Sequence, residues 1–353
     1  MRISLVTLGD PATLTGGYLY HRRMAEVAAA HEASVSFVSF PERAFPLPAL
    51  AGRSVSRHLR RQRPDVVVLD SIATAFAAPW LWNQLRPLAA MVHQRPGGID
   101  HGFVRSALQR NLDLVAYRRC DRIMVASESL VDELTACGIE TAKIVVVAPG
   151  RDVGIMKESA LDLRRGREAA LLCVANWIVR KGIVELLRAF TILPESLCTL
   201  HLVGDENADP RYAARVRELL ARGDLSERVV CHGPLTSEQV ALMYAAADAF
   251  VLPSTLEPYG TVYGEAMAAG LPVVGWNAGN LPHLATNERD GFILEPGDLA
   301  GLAAALGKLC EDEQLRSRMS RSARERADSF PMWEESAALF FSELRALVRP
   351  TTK

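Results

Sequence analysis

Short runs rich in Val, Ile, Leu and Ala recur along this chain with helix-length segments between them. That alternation restricts the fold more than any other feature of the sequence. The runs fall at residues 3–8, 34–39, 65–69, 88–93, 122–126 and 144–148, and resume at 169–175, 199–203, 228–232, 249–252, 272–275 and 292–294. Segments such as 18–30 and 127–137, the latter closed by Gly138, have helical length. Apolar runs without polar alternation suit parallel strands covered on both faces. Interleaved with helices, they predict a doubly wound α/β sheet. At 353 residues the chain exceeds the ~100–200 residues of one ordinary core. The pattern falters at 150–167, where charged residues crowd out apolar ones. We therefore expect a Rossmann-like unit over 1–160, a second over 161–330, and a terminal segment, 331–353, that packs back towards the first. Two such units in tandem would face a central cleft lined by the carboxyl ends of both sheets, where open α/β sheets bind ligands.

The rest of the composition narrows the class. A chain that is 49% hydrophobic and 23% charged has apolar material for two cores and no mark of disorder. Its net charge of -1 argues against nucleic acid as a partner. The charge is uneven: residues 1–160 hold 19 Lys and Arg against 15 Asp and Glu, residues 161–353 hold 21 against 26. A basic first half favours an anionic acceptor or peripheral contact with a membrane surface. Cys120, Cys137, Cys173, Cys198, Cys231 and Cys310 form no CxxC pair, which speaks against a metal site or a disulfide framework. The start, MRISLVTLGD, turns polar after eight residues, and no apolar stretch nears the ~20 residues of a membrane span. A cytoplasmic protein is the expectation.

The chemistry concentrates between residues 252 and 274, LPSTLEPYGTVYGEAMAAGLPVV. A buried strand runs into a turn, and a helix starts near Gly260. The backbone N–H groups of Gly260, Thr261 and Val262 would then be free to meet a phosphate or a sugar hydroxyl. Glu257 precedes that helix and Glu265 lies about one turn into it, so the two carboxylates would reach different ends of one extended ligand. Gly270 and Pro272 close the helix.

This stretch resembles the E-x7-E signature of retaining glycosyltransferases of the GT-B fold, specifically glycosyltransferase family 4, with its flanking PS, PYG, EAMA and GLPVV elements in place. Thr15-Gly16-Gly17 resembles the family's glycine loop, and residues 120–127 (CDRIMVAS), Val203-Gly204-Asp205, His232-Gly233, Ala247-Asp248 and Asp290-Gly291-Phe292 resemble further landmarks. The resemblance implies a nucleotide-diphosphate sugar as donor substrate, no cofactor and no metal, and transfer to an acceptor hydroxyl with retention. The absence of a D-x-D spacing agrees with metal independence. Glu265 would hold the ribose hydroxyls, Glu257 the donor sugar, and Lys181 the diphosphate. His93 would sit on the opposite wall near the reaction centre, and Gly16 and Gly17 would approach the phosphates or the acceptor. The acceptor itself, whether a saccharide, a lipid-linked species or a small molecule, is left open, as are the base and the sugar.

Two positions depart from the family. An arginine commonly found about five residues before the lysine is Asn176 here, so Arg180 is the candidate to replace that charge. His283 stands where relatives carry glutamate. Plainer readings stand beside the sharp ones. Both glutamates suit a helix start without any ligand. Lys181 could be a surface residue, His93 a satisfied core histidine, and Gly16-Gly17 a tight turn. The Arg53–Arg63 run, with Arg53, Arg57, Arg60 and Arg61 on one helical face, reads as a solvated face because no aromatic stripe accompanies it. Trp80 and Trp82 read as helix packing. Two rival functions follow: an epimerase or phosphorylase on the same fold, or a nucleotide-sugar-binding protein without catalysis.

Overall fold

The computed structural model describes residues 1–11, 16–80, 87–99, 101–151 and 159–348. Thr15, Trp82 and part of the 150–167 stretch lie outside them. The chain forms two compact units, one of Met1–Gly150 with Pro331–Lys353, the other of Arg151–Phe330.

The first unit alternates as β1 (Arg2–Leu8), α1 (Gly16–Val27), β2 (Ser34–Phe40), α2 (Gly52–Gln62), β3 (Val66–Asp70), α3 (Thr74–Ala77), β4 (Leu88–Val92), α4 (Phe103–Arg119), β5 (Arg122–Val125), α5 (Glu128–Ala136) and β6 (Ile144–Val146). Its six strands lie in the order β2-β1-β3-β4-β5-β6, every neighbouring pair parallel. β3 and β4 are buried at every position, as strands covered on both faces must be. The run expected at 65–69 is shifted by one residue, which brings Asp70 into the buried end of β3.

The second unit runs β7 (Ala169–Val174), α6 (Ile183–Phe190), β8 (Cys198–Val203), α7 (Pro210–Leu220), α8 (Gly223–Ser226), β9 (Val229–Cys231), α9 (Ser237–Ala246), β10 (Ala249–Leu252), α10 (Thr261–Ala268), β11 (Val273–Trp276), α11 (Leu281–Leu284), β12 (Gly291–Leu294), α12 (Leu299–Glu311) and α13 (Glu313–Asp328). The parallel sheet is ordered β12-β11-β10-β7-β8-β9. Local chemistry starts its helices. Asp209 accepts from two first-turn amides ahead of Pro210, and Thr236 with Gln239 forms a reciprocal capping box on α9. A last helix, α14 (Trp333–Val348), inserts Ala337, Phe340, Phe341 and Leu344 into the core of the first unit. Arg345 Nη2 fixes its far end by donating to the His31 carbonyl at 2.6 Å.

Strand order locates the binding edges. In the second sheet the chain reverses direction across the sheet between β7 and β10; in the first it does so between β1 and β3. At such switch points neighbouring loops diverge and open a crevice at the strands' carboxyl ends. The loops after β7 and β10 carry Arg180, Lys181 and Glu257, while Thr7 lies next to the end of β1, Asp70 ends β3 and His93 follows β4. Among the described residues no helix is long and apolar enough to cross a membrane.

Candidate functional site

In the second unit the two switch-point loops are laced together backbone to backbone. Thr255 N donates to the Arg180 carbonyl at 2.9 Å. Gly182, at φ 70°, turns the chain from a short 3₁₀ turn (Val179–Lys181) into α6. A Cβ there would lie 2.1 Å from the Pro253 carbonyl oxygen, so only glycine allows the approach. The lacing aims the two cations at one carboxylate. Lys181 Nζ donates to Glu257 Oε1 at 2.6 Å and Arg180 Nη1 to the same oxygen at 3.2 Å. Ser254 Oγ lies 2.7 Å from it as a third donor. Arg180 Nη1 is held further by the Leu256 carbonyl at 2.9 Å. Glu257 is 8% exposed, so these contacts operate with little competition from solvent.

α10 begins just beyond this loop, at Thr261, with Gly260 as its N-cap at φ 83°. As at any helix start, the amides of Gly260, Thr261 and Val262 precede the intrahelical ladder, and the positive end of the dipole emerges there. Glu265 stands on the exposed side of α10, one of its carboxylate oxygens accepting from the Tyr244 hydroxyl at 3.1 Å. Burial pushes Tyr259 up to about 12, with the Glu265 carboxylate adding to it. The two glutamates therefore occupy unlike settings. Glu257 is enclosed by cations, whereas Glu265 is open and backed by phenols.

Asn176, at the position of the missing arginine, is committed elsewhere: its Oδ1 accepts from Asp205 N at 3.0 Å and ties the loops after β7 and β8. His283 is exposed on α11, its carbonyl accepting from Arg326 Nη2 at 2.7 Å.

The first unit brings Gly17 and His93 together. A Cβ on Gly17 would lie 3.4 Å from His93 Cδ2. Gly16 opens α1. His93 is half-buried, and its enclosed Nε2 has no hydrogen-bond partner among the described residues. The rings of Tyr20 and His21 flank it edge-on, each 4.9 Å away between centroids. Burial, reinforced by His21, pushes the imidazole down to about 3 against the pull of Asp70, so His93 is neutral near pH 7. Behind it lies a pair that sequence reasoning missed. The buried Asp70 places Oδ2 3.2 Å from His21 Nε2 and 2.7 Å from the donating Thr7 hydroxyl. Burial alone would raise this carboxyl, yet its neighbours, His21 first, then His93 and Thr7, outweigh it and hold it below its ordinary value. Ser71 Oγ, next to Asp70, accepts from the His93 backbone at 3.2 Å. Among the described residues no group of three His, Cys, Asp or Glu side chains is placed to hold a metal ion.

The family described as glycosyl transferases group 1 matches residues 158–326, and glycosyltransferase family 4 matches residues 3–154. A glycogen synthase of Mycobacterium tuberculosis is 33% identical over 285 residues, 79% of this chain and 68% of that protein. A mannosylfructose-phosphate synthase of Agrobacterium fabrum is 30% identical over 254 residues, 68% of this chain and 55% of that one. The chain thus spans about two thirds of the first relative's length and little more than half of the second's. Among solved structures, a sucrose-phosphate synthase from Thermosynechococcus elongatus superposes with a TM-score of 0.83 at 22% identity, covering 98% of both chains. Anabaena HepE in complex with UDP-glucose superposes at 0.79 and 21% identity, covering 98% of this chain and all of that one. At these identities the likeness is one of fold, the GT-B arrangement of two Rossmann-like parallel sheets.

Proposed function

This chain belongs to the glycosyltransferases of family 4, and from that premise we propose that it moves a sugar from a nucleotide-diphosphate donor to an acceptor hydroxyl with retention at the anomeric carbon. The observation that carries this reading is the convergence of Lys181, Arg180 and Ser254 on Glu257 beside the Gly260 helix start. Two cations and a helix dipole at a switch point suit a diphosphate, and a carboxylate among them suits the hydroxyls of the attached sugar.

In the proposed step the bond from the anomeric carbon to the diphosphate oxygen breaks as the acceptor oxygen bonds to the same face. The acceptor proton passes to a non-bridging oxygen of the leaving diphosphate. Lys181, Arg180 and the Gly260–Val262 amides meet the charge that develops there, so the protein acts by position and electrostatics without a metal ion. When a diphosphate enters, the cations divide between it and Glu257, freeing carboxylate lone pairs for the sugar. Glu265 takes the ribose diol. His93, neutral near pH 7, offers a hydrogen bond to the sugar and adds no charge to the site.

A thermal-shift panel of nucleoside diphosphates and their sugars tests the donor half. A cognate ligand at a hundredfold excess over Kd stabilises by about 2.7 kcal/mol, and HepE's complex makes uridine the base to try first. Glu257→Gln should then abolish turnover while nucleoside diphosphate still shifts the melt. Isomerised donor appearing without any acceptor would sink the transferase reading in favour of an epimerase.

A further inference from the structure

The basic run in α2 has an apolar companion, part of it just ahead of the helix and the aromatic part from a distant segment. Ahead of α2, a 3₁₀ turn, Leu47–Ala51, holds Leu50 74% exposed with Leu47 also exposed. At the start of α4, Phe103 is 88% and Val104 71% exposed, followed by exposed Leu108. Large apolar side chains this open are uncommon when clustered. The structure joins the two segments into one face. Arg105 of α4 lies over the Phe45 ring at 5.5 Å, and Trp80 Nε1 donates to the Ala49 carbonyl at 2.8 Å while Arg53 lies over its ring at 5.8 Å. Both segments begin at the carboxyl edge of the first sheet, the edge that ends in Asp70 and His93.

Within these two segments the charge has one sign. Residues 43–63 contain Arg43, Arg53, Arg57, Arg60, Arg61 and Arg63 and no acidic residue, and residues 101–112 contain Arg105 and Arg110 and none. On α2 the apolar positions Val55 and Leu59 are buried inward, which leaves the arginines on the outer side.

We propose that this face of the first unit docks on an anionic phospholipid surface, the arginines meeting the headgroups and Leu47, Leu50, Phe103 and Val104 entering the boundary of the acyl chains. Neither signal suffices alone, and together they give reversible membrane attachment. A second copy of the chain is the poorer occupant, because two faces of the same sign repel when brought together. The docking depends on no assignment of donor or acceptor. Resting on the proposed function, it also places the edge that carries His93 at a bilayer, where the hydroxyl to be glycosylated belongs to an amphiphile.

The test is co-sedimentation of the full chain with vesicles of phosphatidylcholine alone or with about 30% phosphatidylglycerol, at low salt and at about 0.5 M salt. The wild type should bind the anionic vesicles at least about tenfold more tightly than the neutral ones and release them at high salt. Leu50→Ser with Phe103→Ser, and separately Arg57→Glu with Arg60→Glu, should each weaken that binding by about tenfold or more. All four positions are exposed, so melting and far-UV dichroism should match the wild type. Should a variant misfold, the salt and lipid dependence of the wild type decides by itself. Absence of binding, equal binding to both vesicle types, or folded variants that bind like the wild type overturn the proposal. Concentration-dependent self-association that Leu50→Ser with Phe103→Ser abolishes, without vesicle binding, overturns it in favour of a dimer face. A nucleoside diphosphate shift that persists in every variant shows the donor site to be independent of the outcome.

Discussion

The two binding edges are built on opposite electrostatic plans. In the second unit, charge is concentrated and matched: two cations and a hydroxyl meet one oxygen of Glu257. In the first, charge is withdrawn. The half-buried His93 ring is kept neutral, and the nearby Asp70 carboxylate is spent on His21 and Thr7. Under the proposed transfer, the edge that receives a diphosphate needs cations held ready, at the cost of pairing them when the ligand is absent. The edge that receives a hydroxyl then needs a shaped, weakly charged wall that does not compete for the leaving group.

The largest test of this contrast is asymmetric substitution in the second unit. Glu257→Ala leaves Lys181 and Arg180 facing each other without their shared partner, in a site where the two glutamate-bound side chains are only 13% and 22% exposed. A cost of about 3 kcal/mol in urea unfolding is expected. Lys181→Met leaves Glu257 with Arg180 and Ser254, so it should cost less, about 1.5 kcal/mol. It should nevertheless lower turnover by about a hundredfold or more. Equal stability losses in the two variants would mean that the cations are not organised around Glu257.

Asp70→Asn probes the other plan. Because the folded carboxyl sits below its ordinary value, Asp70 contributes stability above about pH 4 that is lost as pH falls through the lower, folded value. The variant should therefore open the β1 and β3 amides to hydrogen exchange by about tenfold near neutral pH, for a loss of about 1.4 kcal/mol. The difference should shrink in acid. A loss that stays constant with pH would point to packing alone.

This contrast also explains what could be read in the sequence. The Glu257–Glu265 stretch is contiguous, so a strand, a turn and a helix start displayed their chemistry in order, and its place at a strand's carboxyl end followed from the alternation, whereas the switch point needed the strand order that the fold supplies. The His21, Asp70 and His93 cluster comes from three segments and is joined only by the fold. Asp70 looked like the polar residue that ends an apolar run, since nothing local shows that Thr7 and His21 receive it. Tyr244 was equally silent: it sits near the end of α9 and meets Glu265 only across the loop after β10. The basic face of α2 was read as merely solvated because the aromatic part of its apolar complement, Phe103, lies about 50 residues on, in α4.

Tyr244→Phe is the next smaller test. It removes the hydroxyl that donates to Glu265 Oε2 while keeping the ring's packing on Phe250. With the carboxylate exposed, about 1 kcal/mol of ligand affinity is at stake, or roughly fivefold in Kd for the nucleoside diphosphate by titration calorimetry. No change would leave Glu265 positioned by its own helix alone.

Gly17→Ala carries the smallest effect and separates fold from function most cleanly. The added methyl would sit 3.4 Å from His93 Cδ2, an ordinary contact, so no clash forces the helix or the ring to move. Within α1, alanine in place of glycine favours the helix by about 0.5–1 kcal/mol. Stability of the first unit should therefore hold or rise by that amount. The methyl nevertheless occupies the space beside the neutral imidazole. If that space receives the acceptor or the donor sugar, kcat/KM falls while nucleoside diphosphate affinity, set in the second unit, stays unchanged. A variant that is more stable and fully active would show that Gly17 serves the turn and leaves the His93 wall to other residues.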